Sequence, residues 1–459
     1  MRSRIRQFLW LLVLIYPAFS SISLAQETAL TGGLLLNSDQ ASAGYILFTP
    51  TASPITYLID NDGRIVHQWQ GSGRSMSIYL LENGHLVMNV IQPSQRFVGG
   101  TTGLIEEYDW DGNLVWSFEY QSDLYSLHHD YTVLPNGNLI VAAWEVLPEE
   151  EALALGLLPE MLPIPRGNLG ENQIQDQALW LDMLLEVDRE TSEIIWEWHT
   201  KDHLIQDQNP DLPNYGILAE HPGLIDLNHA NQRQPNDRTH FNSVSYNAEL
   251  GQVLVSSLSF SEIWVINHRL SSQEAAGEAG NLLYRWGNPQ VYGRGTDDDR
   301  QLFNQHDAHW QPDGSIQIFN NGHQRFRPYS TVIEIVPPLL DDGKYALDAD
   351  LAYKPQSFDV LYQGTPPEAF FSQNTSGAQR LPNGNLFITE GPAGRMFEVN
   401  ATGEIVWDYL NPIFVSPHPD SRGPIFRARR YLPDDPAFTG RDLTPGDWIP
   451  VQVVRGAAG

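Results

Sequence analysis

A short turn followed by a strand is written into this chain repeatedly: LENGHLVM at 81–88, LPNGNLIV at 134–141, QPDGSIQI at 311–318 and LPNGNLFI at 381–388, with a looser copy, YNAELGQVLVSS, from 246. Asn-Gly or Asp-Gly between apolar runs marks a tight turn, because Gly and Asn accept the positive φ that other residues resist. A second unit alternates with the first, a hairpin whose outgoing strand often ends in an aromatic pair. It reads TYLIDNDGRIVHQW (56–69), IEEYDWDGNLVWSF (105–118), LLEVDRETSEIIWEW (184–198) and MFEVNATGEIVWDY (396–409). It returns with a longer connection between EIWVINHRL and NLLYRW (262–286), and more weakly from TVIEIVPP to about Val360.

Two β-sandwich domains would explain the strands but not this alternation of the same two units. Repeated supersecondary units of this length predict a β-propeller, in which blades share their cores with neighbours and one domain accommodates the whole length. Six hairpins predict six blades, although counting alone does not separate six from five or seven. The fold expected is therefore all-β, a six-bladed propeller closed by pairing GYILFTP (44–50) with PIFRARRYLP (424–433). Helical signal is confined to EEEALALGLLPEML (149–162), at the start of a long insertion reaching about residue 180. A second long connection, roughly 200–236, is rich in Asp, Asn and Pro. Long connections in a compact domain are more often functional than idle, so both are expected to cover one face.

The first residues, MRSRIRQFLWLLVLIYPAFSSISLAQ, resemble an export signal: a basic start, an apolar stretch short of a comfortable membrane span, then Ser23-Leu24-Ala25 ahead of Gln26. Residues 1–25 are expected to be a cleaved signal peptide, 26–43 a lead-in and 44–459 a single propeller domain, periplasmic or secreted. Retention as an anchor is the alternative, but no later segment is long and apolar enough to insert stably in a membrane. With 56 acidic against 27 basic residues, nucleic acid is excluded as a partner on charge grounds. Cysteine is absent, which removes disulfides, thiolate ligands and a cysteine nucleophile from consideration. A closed ring leaves few edge strands, so a homodimer would associate through loops or faces.

Aligning the turn-strand units exposes a candidate site. Six positions before Pro135 is His129, six before Pro312 is His306, and each is followed by Asp, as HHDYTVLPNG and QHDAHWQPDG. The same position in QNTSGAQRLPNG is Ser376, beside Thr375, and THFNSVSYNAELG puts His240 at or within one residue of it. Equivalent positions of successive blades ring the central channel, so these side chains are expected to converge at one mouth. Repeats ordinarily reuse apolar residues at buried positions, and repeated imidazoles call for another reason. If side chains alternate along an extended strand, His306, Ala308 and Trp310 share one face while Asp307 and His309 take the other, which separates His306 from His309. His128 and His129 divide in the same way, and His240 and Asn242 share a face. A metal held by His129, His240 and His306 is compatible with this placement, but no acidic ligand completes the set, and no metal is expected. Histidine can act as nucleophile, base or acid near neutral pH. No G-x-S-x-G elbow, Walker loop or dinucleotide fingerprint is present.

Taken together, DRTHFNSVSYN, FNQHDAHW with IQIFNNG, SGAQRLPNGNLFITEG, RMFEV, GEIVWDYLNP, HHDYTVLPNGN, NLLYRWGNPQ and FRARRYLPDDPAF resemble the bacterial arylsulfate sulfotransferase family over most of the chain. The resemblance implies a six-bladed propeller, export, no nucleotide or other cofactor, and transfer of a sulfuryl group from an aryl sulfate donor to a phenolic acceptor through a sulfohistidine. It makes His306, in Gln305-His306-Asp307-Ala308, the nucleophile. His240 and Asn242 would hold the sulfuryl oxygens or handle the phenol proton, and His128-His129-Asp130 would supply a third histidine, with His129 favoured by register. One position departs from the pattern: Leu258 stands where the family carries an arginine. Arg380, Arg395, Arg325 or His309 would then have to supply the missing charge, with Ser376 and Thr375 as further substrate-binding residues. The alternatives are an exported propeller that binds a small molecule or protein without catalysis, and a hydrolase working in the same channel.

Overall fold

In the computed structural model, which describes residues 30–164, 174, 176–229, 236–341, 343–347 and 352–454, the Asn-Gly or Asp-Gly turns at 83–84, 136–137, 313–314 and 383–384 each join the innermost strand of a blade to the second, while those at 62–63 and 111–112 join the third to the outermost. Gly84, Gly137, Gly314 and Gly384 all lie at φ between 81° and 90°, where a Cβ would be strained. The preceding Asn or Asp locks the turn by accepting the N–H two residues on, as in Asn83 to His85 and Asp313 to Ser315, both 3.0 Å.

Six antiparallel sheets follow in chain order. The second blade comprises Ser75–Leu80, Leu86–Ile91, Gly103–Tyr108 and Leu114–Glu119, and the third Tyr125–Val133, Leu139–Leu147, Leu179–Val187 and Ile194–His199. The fourth runs Phe241–Asn247, Gln252–Ser257, Glu262–Asn267 and Tyr284–Trp286, the fifth His306–Trp310, Ile316–Asn320, Thr331–Ile335 and Asp359–Gln363. The sixth contains Gly377–Arg380, Leu386–Glu390, Arg395–Val399 and Ile405–Leu410, with Gly33–Asn37 added at its outer edge. In the first blade Tyr45–Pro50, Ile55–Ile59 and Ile65–Gln70 are completed by Ile425–Tyr431, which pairs Tyr431 with Tyr45 and Ala428 with Phe48. The innermost strand of that blade thus comes from the far end of the chain. Residues 1–25, read as a signal peptide, lie outside the described residues. Among those described, no helix is long and apolar enough to cross a membrane.

The aromatic ends of the outgoing strands tie one blade to the next. Indole N–H groups of Trp69, Trp196, Trp286 and Trp407 donate to the carbonyls of Asp109, Leu270, Pro355 and Asn61, each on the following blade, at 2.7–2.9 Å. Trp116 donates to the Ser192 hydroxyl in the same manner. A tryptophan here buries a large apolar surface while its one donor remains satisfied, which explains why the repeat keeps it.

The inner strands do not alternate simply. Register shifts interrupt them at Ser75/Ile78, Val141/Ala143 opposite His128–Asp130, Phe241/Val244, His306/His309 and Phe48/Pro50 opposite Phe426–Arg427. A bulge at the same level in five of six blades re-aims side chains at the channel. Alternation as the reason for separating His306 from His309 is therefore corrected: Asp307, at φ 50°, turns the strand between them. The first insertion forms a helix over Glu149–Ala154, shorter than the sequence suggests, and then a single turn at Pro159–Met161. It packs on the second, where Asn228 Oδ1 accepts the Leu158 N–H and Asn214 Nδ2 donates to the Leu155 carbonyl.

Candidate active site

His306 opens the inner strand of the fifth blade with its ring enclosed, 3% exposed. Its Nδ1 lies 2.9 Å from Asn321 Oδ1 and 3.0 Å from the Asn304 carbonyl. Asn321 has no freedom to turn over, because its Nδ2 donates to the carbonyls of Ser372 at 2.7 Å and Thr375 at 3.0 Å. Two acceptors therefore face Nδ1, which must carry the proton, and the lone pair is left on Nε2. The Thr375 N–H points to that Nε2 from 3.2 Å. Burial pushes the His306 pKa down to about 3, against the raising effect of Asn321 and Asn304, with His240 and Arg427 adding to the depression. The ring is neutral throughout the physiological range, and among the described residues its Nε2 lone pair accepts the Thr375 N–H, which must give way before that nitrogen can attack. Replacing Asn321 with Leu removes the partner that sets the tautomer, and turnover is expected to fall ~10–100-fold, the scale for losing such a support. Steady-state kinetics and the ring ¹⁵N shifts of His306 check this together.

His129 and His240 lie alongside, 4% and 6% exposed, with ring centroids 4.5 Å apart. His240 Nδ1 is 2.5 Å from Asp237 Oδ2, while the other Asp237 oxygen accepts the Trp144 indole N–H at 3.2 Å. Behind His129 runs a short relay. Asp182 Oδ1 lies 2.8 Å from His128 Nε2, and His128 Nδ1 lies 2.9 Å from His129 Nδ1. If His128 carries its proton on Nε2, toward this carboxylate, then its Nδ1 accepts from His129 Nδ1–H and the His129 lone pair falls on Nε2. Asp182 also accepts the Phe241 N–H at 2.9 Å and the Thr239 hydroxyl, so one carboxylate holds both histidine segments. Burial first, then the neighbouring His240, His128 and His306, hold the His129 pKa well below the usual value. Charging one ring of the trio opposes charging another.

The backbone here is unusual. His129, His240, Asn304, Asp307, Thr375 and Ser376 all have positive φ, between 48° and 82°. Each such non-glycine residue costs on the order of 1–3 kcal/mol, so the surrounding packing must impose it.

A cavity of about 630 Å³ opens beside the trio. The three rings do not line it themselves; two of its lining residues touch them, Asn304 through its carbonyl on His306 Nδ1 and Leu258 by donating its N–H to the His240 carbonyl at 3.1 Å. His229, at the end of the described part of the second insertion, lines it too. Two cations contribute to the wall, Arg325 and Arg300, and the latter is held by the Ser261 hydroxyl and stacked 4.5 Å from the Phe303 ring.

The placement of the other expected residues is mixed. Thr375 is at the nucleophile, and its hydroxyl is buried without a hydrogen-bond partner among the described residues. Ser376 instead braces the loop, bonding Ser372 Oγ at 2.7 Å and accepting the Gly391 N–H. Asn242 is fully buried and donates to the Gln305 carbonyl at 2.8 Å, against the backbone just before His306. His128 stacks on Trp144 at 4.0 Å and supports His129 from behind, away from the cavity. The structure does not bring Arg380 or Arg395 to the trio. Arg380 pairs with Glu334 of the neighbouring fifth blade, and Arg395 with Asp408 of the adjacent strand at 2.9 Å, so local carboxylates claim both. His309 lies on a different cavity, with its Nδ1 on the Asp307 carbonyl. Among the described residues, no group of three His, Asp or Glu side chains is arranged to hold a metal.

Sequence reasoning missed Asn321, Asp182, Asp237 and Arg300. Asn321 sits in IFNNG, on the strand that pairs His306 with Phe319, so cross-strand register was the signal that could have found it.

The family model for arylsulfotransferase (ASST) matches residues 77–412, a span covering five of the six inner strands and all three site histidines. No curated protein matches the chain. Among solved structures, a protein of unknown function from Bacteroides caccae is similar at 12% identity with a TM-score of 0.47, covering 85% of this chain and 99% of that one. Virginiamycin B lyase from Staphylococcus aureus is similar at 11% identity with a TM-score of 0.38, covering 83% and 85%. Likenesses that distant carry no functional argument.

Proposed function

The chain belongs to the arylsulfotransferase family, and on that premise we propose that it passes a sulfuryl group from an aryl sulfate to a phenol by a ping-pong reaction through a sulfohistidine at His306, without a nucleotide cofactor. Export directed by residues 1–25 belongs to the same reading. One observation carries it: two fixed acceptors at Nδ1 put the His306 lone pair on Nε2, where it accepts the Thr375 N–H, a donor that a transferred group can take over.

In the first half-reaction Nε2 attacks sulfur in line, the N–S bond forms, and the S–O bond to the ring breaks with its electron pair leaving on phenolate. The imidazole becomes positive, and its Nδ1–H bonds to Asn321 and Asn304 strengthen as it does so, because a charged donor binds a neutral acceptor more tightly. That gain is confined to the reacting state and so lowers the barrier. Once Nε2 bonds to sulfur, the Thr375 N–H that it had accepted becomes a donor for a sulfuryl oxygen gathering charge. In the second half-reaction a neighbouring histidine, His240 or His129, takes the proton of the incoming phenol while its oxygen attacks sulfur and the N–S bond breaks.

Leu258 changes what the cavity accepts. An apolar side chain in that wall favours an aromatic ring, and Arg300 and Arg325 take over the cationic share of the lining. The test is release of a chromogenic phenol from its sulfate ester, with and without a second phenol. Release that requires the acceptor is expected. Equal release without acceptor would make the protein a hydrolase, and none under either condition would leave the binding-propeller reading in its place.

A further inference from the structure

Below the histidines, the channel is crossed by a buried knot of charge. Asp130 and Asp307 each follow a site histidine directly, and both side chains are enclosed. Between them lies Arg427, 6% exposed, from the strand that completes the first blade. Its Nη1 is 3.1 Å from Asp130 Oδ2 and its Nε 3.0 Å from Asp307 Oδ1. Arg429 reaches the same Asp307 oxygen at 2.9 Å. Tyr79 of the second blade donates to Asp130 Oδ1 and accepts from Arg427 Nη1, both at 3.0 Å. The free carboxylate valences go to backbone: Asp130 Oδ2 accepts the Val244 N–H of the fourth blade at 3.0 Å, and Asp307 Oδ2 accepts the Ala378 N–H of the sixth at 2.9 Å. All six inner strands therefore meet at this knot.

We propose that Arg427 is a positioning residue for the transfer reaction, holding the carboxylates of Asp130 and Asp307 and, through them, the two bulges that aim His129 and His306. It touches neither reacting atom, and its role in catalysis rests on the function proposed above. The physical reason is that bulged backbone at positive φ does not hold itself. His129 and Asp307 sit at φ 48° and 50°, and a carboxylate fixed at both oxygens is what keeps each segment there. A planar guanidinium suits this task because its fork reaches two carboxylates at once, where an ammonium is a single point of charge. Since Arg427 lies in the last inner strand, closing the ring and setting the site become one event.

The geometry also supplies the experiment. A second cavity of about 330 Å³, further along the inner strands, is lined by Arg427, Asp307, His309, Arg429 and Tyr79, so the space left by truncation adjoins a route for a small cation. In the full chain, Arg427→Ala is expected to lower kcat at least about 100-fold with KM within about threefold, because transition-state geometry suffers more than substrate binding. Guanidinium at millimolar concentration should restore much of that loss, and methylammonium should not. The acid limb of the pH profile should move upward, since a charge opposing protonation of His306 has been removed. A purely structural arginine would not show the cation selectivity, whereas the shifted limb follows from the lost charge in either case and reports only that Arg427 faces His306. Hydrogen exchange at residues 127–131 and 305–309, followed by mass spectrometry, reports the bulges without reference to activity. It should quicken in the variant and slow again with guanidinium. If wild type has no transfer activity but exchange responds in this way, the reaction is wrong and the lock remains. If Arg427→Ala folds with kcat and exchange unchanged, the lock is overturned. Should the alanine variant not fold, Arg427→Lys serves, with the same kcat loss and quickened exchange expected and unchanged values again decisive against the proposal.

Discussion

Replacing His306 with Ala abolishes transfer: the expected loss in kcat is about 10⁴-fold or more, the scale seen when a covalent nucleophile is removed. The residue is buried, but the substitution leaves Asn321 and Asn304 with only one lost hydrogen bond each, and the fold is expected to survive. Intact mass of wild type quenched during turnover of an aryl sulfate should show an added sulfuryl group that is labile in acid. In His306→Ala the adduct should be absent. The companion substitution, His129→Ala, separates nucleophile from base: the adduct should still form on His306 if His129 serves the second half-reaction. An adduct of unchanged yield in His306→Ala would end the sulfohistidine proposal.

Acidification is expected to destabilise this protein well above the pH at which its carboxylates protonate. The sign follows from which state binds protons. Burial holds His306 at about 3, His229 at about 4, and His129 well below the usual imidazole value, whereas in the unfolded chain each titrates near 6.5. A depressed imidazole pKa means that the unfolded state takes up protons first, so stability is full above about pH 6.5 and drains as pH falls toward the folded values. At ~1.4 kcal/mol per pKa unit, His306 alone accounts for a loss of several kcal/mol in the acid limit, a large share of the ~5–15 kcal/mol typical of a folded protein. Asp226 opposes this, since burial raises its carboxyl from 3.8 to about 6 and so favours the folded state as pH falls through that window. Its shift is smaller than that of His306 alone, and the imidazoles prevail. Urea midpoints at pH 7, 5.5 and 4.5 should fall in that order, and His306→Gln should flatten the decline. A midpoint constant across this range would contradict the assignment of neutral, buried rings.

Several features of this outcome were legible in the residues themselves. Turn chemistry is local: Asn-Gly and Asp-Gly adopt their φ whatever surrounds them, so the repeat and an expectation of six blades could be read from the chain, while the choice of six over five or seven needed the structure. The outgoing aromatic pairs were equally visible, although only the folded ring shows that their indole donors reach the next blade. His129, His240 and His306 could be singled out because a repeat brings equivalent positions together around one axis. Both His-Asp pairs were also visible, without any indication of what the two carboxylates grip.

Where sequence reasoning failed, it assumed regular strands. Alternation assigns side chains to faces only while the register is unbroken, and the bulges at His128–Asp130 and His306–His309 break it. Arg380 and Arg395 looked available because a list of cations carries no record of the carboxylates that a neighbouring blade or strand brings to them. The repeat, the ring architecture and the three imidazoles were readable from residues alone, since these depend on contacts within a repeat and on symmetry between repeats, whereas the number of blades was settled by the folded ring. The tertiary structure alone decided the tautomer of His306, the relay behind His129 and the grip of Arg427. The first two wait on partners brought across the strands of one blade, as Asn321 is to His306, and the third on the strand from the far end of the chain that closes the ring, 297 residues from Asp130.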